Sequence, residues 1–153
     1  MTVSSEGKLT TGHIGLNVTD VARSITFYGT VFGFEVMAEG KEDDRRWAFL
    51  GRDGQLLVAL WQQSEGTFST NTPGLHHLSF QVETIDEVNA KADVLRELGA
   101  EFTYDGVVPH GENGESGGIF FSDPDGIRLE IYAPTGADPK KAPVAGAPTC
   151  GFF

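Results

Sequence analysis

The sequence predicts an α+β protein built from two tandem βαβββ modules. Three observations carry that expectation. The stretch that starts at His13 and the stretch that starts at His77 run through the same order of hydrophobic periods, strand-like, then helical, then strand-like again. Each helical stretch is bracketed by a capping residue in front and a glycine behind. The spacings also agree. His13 stands 20 residues before Gly33 and His77 stands 22 before Gly99, and each glycine is followed two positions on by a glutamate, Glu35 and Glu101.

Within the first module, "HIGLNV" alternates polar and apolar residues, the period of a strand. In "TDVARSITFYGTVFGFE", Val21, Ile25, Tyr28 and Phe32 recur at helical spacing, with Thr19 or Asp20 as the cap and Gly33 as the stop. Strands are then expected at 34–40, 46–51 and 56–62, the turn "GRDG" separating the last two. In the second module "HLSFQV" is the strand. "TIDEVNAKADVLRELG" places Ile85, Val88, Ala92, Leu95 and Leu98 on one helical stripe, Thr84 and Glu87 form a capping box, and Gly99 ends the helix. Strands follow near 101–105, 117–122 and 127–132, with "DPDG" as the last turn. The modules span 9–66 and 74–133 and make one domain. Residues 1–8 are expected to be disordered. Residues 134–153 hold four of the seven prolines, are rich in Gly and Ala, and have no period. They are either a free end or, since they finish in Phe152 and Phe153, a segment docked on the body or on a second subunit.

Composition narrows the class. An apolar fraction of 39 % and a charged fraction of 22 % suit an ordinary globular core. A net charge of −11 argues against nucleic acid or an anionic membrane as a partner. No apolar run approaches the length of a membrane span and no secretory leader pattern opens the chain, so a cytoplasmic protein is expected. Cys150 is the only cysteine, which excludes an intrachain disulfide.

Three residues stand out for chemistry. His13 and His77 open equivalent strands of the two modules, and Glu130 sits among apolar neighbours on the last strand of the second. Each alone reads as an ordinary strand residue, a hydrogen-bonded histidine or part of an exposed face. Together, two imidazoles and a carboxylate are the donor set of a divalent metal with open positions. "GLHHLSF" adds a puzzle, because adjacent strand residues point to opposite faces and His76 and His77 cannot both point inward.

"GHIGLNVTDVARSITFY", "LHHLSFQV" and "FFSDPDGIRLEIY" together resemble the vicinal oxygen chelate superfamily: glyoxalase I, fosfomycin-resistance thiol transferases, extradiol ring-cleaving dioxygenases and bleomycin-binding proteins. The resemblance covers about residues 10 to 133. It implies that the two modules curl into a cup of mixed β-sheet with flanking helices. It also implies that His13, His77 and Glu130 bind a divalent metal, Fe(II) or Mn(II). Matching "HLSFQV" to "HIGLNV" selects His77 as the inward residue and leaves His76 pointing out or at the rim. The position where glyoxalase I enzymes carry a further carboxylate falls on Val58 or Ala59, neither of which binds metal. That departure favours the three-ligand members.

Extradiol enzymes resemble this chain in their double histidine and in the intervals of 64 residues from His13 to His77 and 53 from His77 to Glu130. They also carry an acid/base histidine near the position of His110, which otherwise reads as a solvated loop residue. The chain departs from them at Phe120, where they have a tyrosine, and near Gln62, where a histidine is expected. The resemblance implies a ring-cleaving dioxygenase acting on a small, vicinal-oxygen, aromatic substrate, working as a homodimer. An isomerase, epimerase or thiol transferase on the same metal is the alternative, as is a protein that sequesters a drug or metabolite without turnover. Trp47, Phe49, Trp61, Phe68, Phe80 and Phe121 are core or pocket wall. Arg45 and Arg46 belong to a solvated hairpin turn.

Overall fold

The structure, a computed structural model, describes residues 7–151. Two four-stranded mixed sheets form it. The first holds β1 (Ile14–Val18), β2 (Glu35–Glu42), β3 (Arg45–Arg52) and β4 (Gln55–Gln62), in the order β1-β4-β3-β2. The second holds β5 (Leu78–Gln81), β6 (Val108–Pro109), β7 (Gly117–Ser122) and β8 (Arg128–Ala133), in the order β5-β8-β7-β6. Helix α1 (Val21–Phe32) follows β1 and helix α2 (Ile85–Glu97) follows β5. The first strand of each module pairs in parallel with the last, so each helix is a crossover and covers one face of its own sheet. Phe152 and Phe153, and most of the N-terminal stretch, lie outside the described residues. No described helix is long and apolar enough to cross a membrane.

The helix ends follow the sequence signals. Asp20 caps α1 by accepting from the Arg23 N–H, and Gly33 ends the helix in the left-handed region at φ 71°. Thr84 and Glu87 form the capping box of α2. Gly99, at φ 72°, turns the chain so that its own N–H and that of Ala100 reach back to the carbonyls of Arg96 and Leu95.

Strand alternation builds one core shared by both modules. Leu16, Val18, Ala48, Leu50, Val58 and Leu60 face it from the first sheet, and Leu78, Ile119, Phe121, Leu129 and Ile131 from the second. Phe32 of α1 is the joint, with ring centroids 4.6 Å from Phe80 and 6.4 Å from Phe121. Burial of such a ring stabilises the fold by roughly 1.5–3 kcal/mol relative to leaving it in water. A polar clasp reinforces the joint. In the turn before β8, Asp125 accepts from the Thr19 N–H and from the Arg23 guanidinium, the latter at 2.9 Å. Buried Asp123 accepts from the Tyr28 hydroxyl at 2.8 Å. The helix-covered faces are therefore pinned together, and the opposite face of each sheet turns away from the core.

One expected strand is nearly missing. Residues 101–105 meet β7 only through the isolated Phe102–Phe121 bridge and two backbone hydrogen bonds. Gly106 then bends the chain at φ 70°, and pairing resumes for two residues at β6. Pro109 has no N–H with which to extend that ladder. Gly117 and Gly118 let the segment approach closely. A Cβ at Gly117 would fall 2.4 Å from the Val108 carbonyl oxygen. The detour carries Tyr104 over the outer face of the second sheet, edge-on to Phe120 at 5.7 Å.

Candidate active site

The register of the second sheet places Glu130 at the centre of its outer face. Glu130 lies opposite Ser79 on β5 and opposite Phe120 on β7. Leu129 and Ile131, its chain neighbours, point into the core, so the carboxylate points the other way. It is not an exposed strand residue, for only 3 % of it is accessible. A buried carboxylate requires partners, and both oxygens have one. The Ser79 hydroxyl donates to Oε1 at 2.6 Å, and His110 Nε2 lies 2.6 Å from Oε2. The other nitrogen of His110, Nδ1, lies 2.8 Å from the Ser116 hydroxyl. Ser79, Glu130, His110 and Ser116 thus form a continuous polar chain. Phe120 and Tyr132 flank the His110 ring at 6.3 and 5.0 Å. His110 is fixed in the site, not solvated on a loop.

His76 and His77 both precede β5, which begins at Leu78, so strand parity does not separate them. Their rings meet, Nδ1 to Nδ1, at 2.7 Å. What distinguishes them is burial: His76 is exposed and His77 half-buried. Burial lowers the His77 pKa from its ordinary 6.5. The Glu130 charge opposes that shift, while His76, Arg128 and His110 add to it. His77 is therefore within electrostatic reach of Glu130 and His110, and its neutral form is favoured.

His13 lies elsewhere. It is exposed, one residue before β1, with the strand parity of Gly15 and Asn17, which belong to the outer face of the first sheet. Gly15 pairs with Ala59, so Ala59, not Val58, occupies the outer face there, and Val58 is core. Around it stand Trp47, Phe49 and Trp61, with centroids 4.9 to 6.2 Å apart. Phe121 belongs to the core, and Phe68 and Phe80 pack against it. Gln62, in the region where a histidine was expected, accepts from the Val21 N–H at the start of α1. Among the described residues no group of three or more His, Cys, Asp or Glu gathers into a metal cage within one chain. The fold brings Glu130, His110 and His77 to one face and leaves His13 on the other module.

Sequence reasoning missed Ser79, Ser116 and Tyr104. Ser79 was findable, two residues after His77 on a strand that pairs with the strand of Glu130. Ser116 and Tyr104 sit in irregular chain with no periodic signal.

Two four-stranded sheets of this order, each crossed by one helix, with a carboxylate central on the last strand of the second, define a paired-module α+β fold. A family model described as the Glyoxalase/Bleomycin resistance protein/Dioxygenase superfamily matches residues 10–131, and the chain belongs to that superfamily. A catechol-2,3-dioxygenase from Bacillus subtilis is 28 % identical over 125 residues. The match takes in 80 % of this chain and 40 % of that enzyme, so the chain spans less than half of its length. The crystal structure of a glyoxylase/bleomycin resistance protein/dioxygenase domain from Frankia sp. EAN1pec superposes with a TM-score of 0.71. It is 27 % identical, over 84 % of this chain and 99 % of that one. The fosfomycin resistance protein FosX of Listeria monocytogenes, in a structure with Mn(II) and sulfate, shares the fold at a TM-score of 0.62. It is 22 % identical, over 82 % of this chain and 93 % of that one.

Proposed function

We propose that this chain is a metal-dependent enzyme whose divalent ion, Fe(II) or Mn(II), is held by His77 and Glu130 of one subunit and His13 of a second. The observation that carries this reading is the buried Glu130 carboxylate, oriented by Ser79 and His110 beside a half-buried histidine. The donor chemistry fits, because a carboxylate and an imidazole kept neutral by burial suit such an ion. His13 gathers with no such group among the described residues of one chain, yet it stands exposed, with the parity of the outer sheet face. A homodimer that lays the first module of one chain against the second module of the other completes the set.

When bound, the ion would supply Lewis acidity to two neighbouring oxygens of a small substrate. The residues supply the rest. Ser79 holds Glu130 in place. His110, next to that carboxylate, takes or returns a proton at Nε2. The partner's Trp47–Phe49–Trp61 wall offers flat apolar surface to an aromatic ring. Ring cleavage of the extradiol type is the first assignment, favoured by His110 and supported by similarity to the catechol-2,3-dioxygenase. Phe120, which cannot donate a hydrogen bond to a substrate oxygen, keeps an isomerase, epimerase or thiol transferase as the alternative.

The test is anaerobic Fe(II) loading followed by air and a panel of catechols. Coloured ring-cleavage products are expected. Bound metal without product would move the assignment to the alternative. Near-zero metal, with ligand affinity indifferent to chelators, would point to sequestration without turnover.

A further inference from the structure

The segment after β8 folds back over the outer face of the second sheet. Near its start the Ala137 N–H donates to the Glu115 carbonyl at 2.7 Å. Near the end of the described residues Thr149 is wholly buried. The Thr149 N–H donates to the His110 carbonyl at 2.8 Å, and its hydroxyl donates to the Pro109 carbonyl at 2.7 Å. Its own carbonyl accepts from the Tyr104 hydroxyl at 3.2 Å. Three polar groups of one residue are thereby tied to β6 and its flanks. Gly146, Ala147 and Pro148 before it and Gly151 after it are small and exposed, so among the described residues of this stretch Thr149 is the buried anchor. Those three preceding residues, with His110 and Ser116, wall a cavity of about 390 Å³. Cys150, next after the latch, is close enough to Glu130 that the carboxylate adds to the effect of burial in raising its pKa.

We propose that residues 146–151 are a strap that closes the Glu130 site, and that Thr149 must be released before a metal ion or the partner's first module reaches that carboxylate. The segment docks on the backbone of His110, whose imidazole is bonded to Glu130, and that placement is the physical reason. A carboxylate with 3 % of its surface accessible exchanges ligands only when the chain around it moves. The latch is also weak enough to work as a gate. Each neutral hydrogen bond shifts such an equilibrium by about 2- to 10-fold, and Thr149 is held by three. The gate rests on the metal reading above, but the docked strap does not.

Cys150, as the only cysteine, reports on the strap without any added probe. Its rate of reaction with an aromatic disulfide reagent is compared in the full-length protein, the unfolded protein in guanidinium, and the variants Tyr104→Phe, Thr149→Val and both together. Mn(II) association is followed in parallel by stopped-flow. The expected result is slow labelling of the native protein, accelerated about 10-fold or more in the double variant, with the same acceleration in Mn(II) association and little change in melting temperature. Tyr104→Phe alone guards against a misfolded Thr149 variant. Native labelling as fast as in the unfolded chain would overturn the strap. Faster labelling with unchanged Mn(II) association would overturn the gate. If no protein binds Mn(II) while the labelling difference stands, the metal reading falls and takes the gate with it, leaving a docked segment of another use.

Discussion

In the first sheet Gly15 lies opposite Ala59, and Ala59 opposite Phe49. In the second sheet Ser79 lies opposite Glu130, and Glu130 opposite Phe120. The two positions correspond, and a histidine stands two residues before the first member of each set, His13 and His77. One topology thus carries a carboxylate and its serine in one copy, and an alanine and a glycine in the other. The rest of each outer face follows suit. Among the described residues the first is an aromatic surface on which Trp61 keeps 39 % of its area accessible, and the second is a hydrogen-bonded polar chain whose His110 carries the docked C-terminal segment on its backbone. A repeat keeps its backbone for packing reasons, because the core faces of both sheets remain apolar. The outer faces are free to diverge, and here each holds what the other lacks.

The largest effect expected from this contrast is on metal. Glu130→Ala should abolish tight binding, a loss beyond the roughly 10- to 100-fold typical of an outer partner of a metal ligand. Ala59→Glu should not create a second site. Its carboxylate would be buried where Gly15 offers no hydroxyl, costing more than about 2 kcal/mol of stability. Metal titration and thermal melting of the two variants check both statements. A stable, metal-binding Ala59→Glu protein would show that the asymmetry of the faces is incidental.

His110→Ala comes next. It should retain the metal and lose about 10²- to 10⁴-fold in turnover on whichever substrate the panel identifies. Loss of metal with the ring would instead make His110 a ligand.

Ser79→Ala should cost about 1.5–3 kcal/mol, since it strips one bond from a buried carboxylate. The melting temperature should fall by several degrees, whereas Gly15→Ser at the corresponding exposed position of the first sheet should change it little.

The smallest effect concerns His77. Burial lowers its pKa below 6.5. A histidine with a lowered folded value contributes stability that is complete above pH 6.5 and is lost as pH falls through that lowered value. An NMR titration of the metal-free protein should place His77 below 6.5, and His77→Gln should flatten the acid side of the stability curve.

Much of the fold was legible because its signals are local. The caps at Asp20 and Thr84, the stops at Gly33 and Gly99 and the strand periods all act within a few residues. Strand parity set Glu130 on the face opposite Leu129 and Ile131, but its burial and the choice between His76 and His77 lay outside the reach of parity, since both histidines precede the strand. Parity would have sorted the aromatics as well. Phe80 and Phe121 occupy core positions beside outward-facing Ser79 and Phe120, whereas Trp47, Phe49 and Trp61 share the outer parity. The break after Phe102 and the path of residues 134–151 were not legible. Both depend on contacts between distant segments, such as Tyr104 with Thr149, and no period announces them.

The claim that the two faces complete each other is tested most directly by mixing two defective proteins. His13→Ala and Glu130→Ala are each purified, confirmed to be folded and low in metal, then mixed in equal amounts and allowed to exchange subunits. A site assembled across a dimer is restored in half of the sites of each hybrid, so metal binding should recover to about a quarter of the native level. No recovery after demonstrated exchange, or a His13→Ala protein that binds metal as tightly as the native one, would contradict the account.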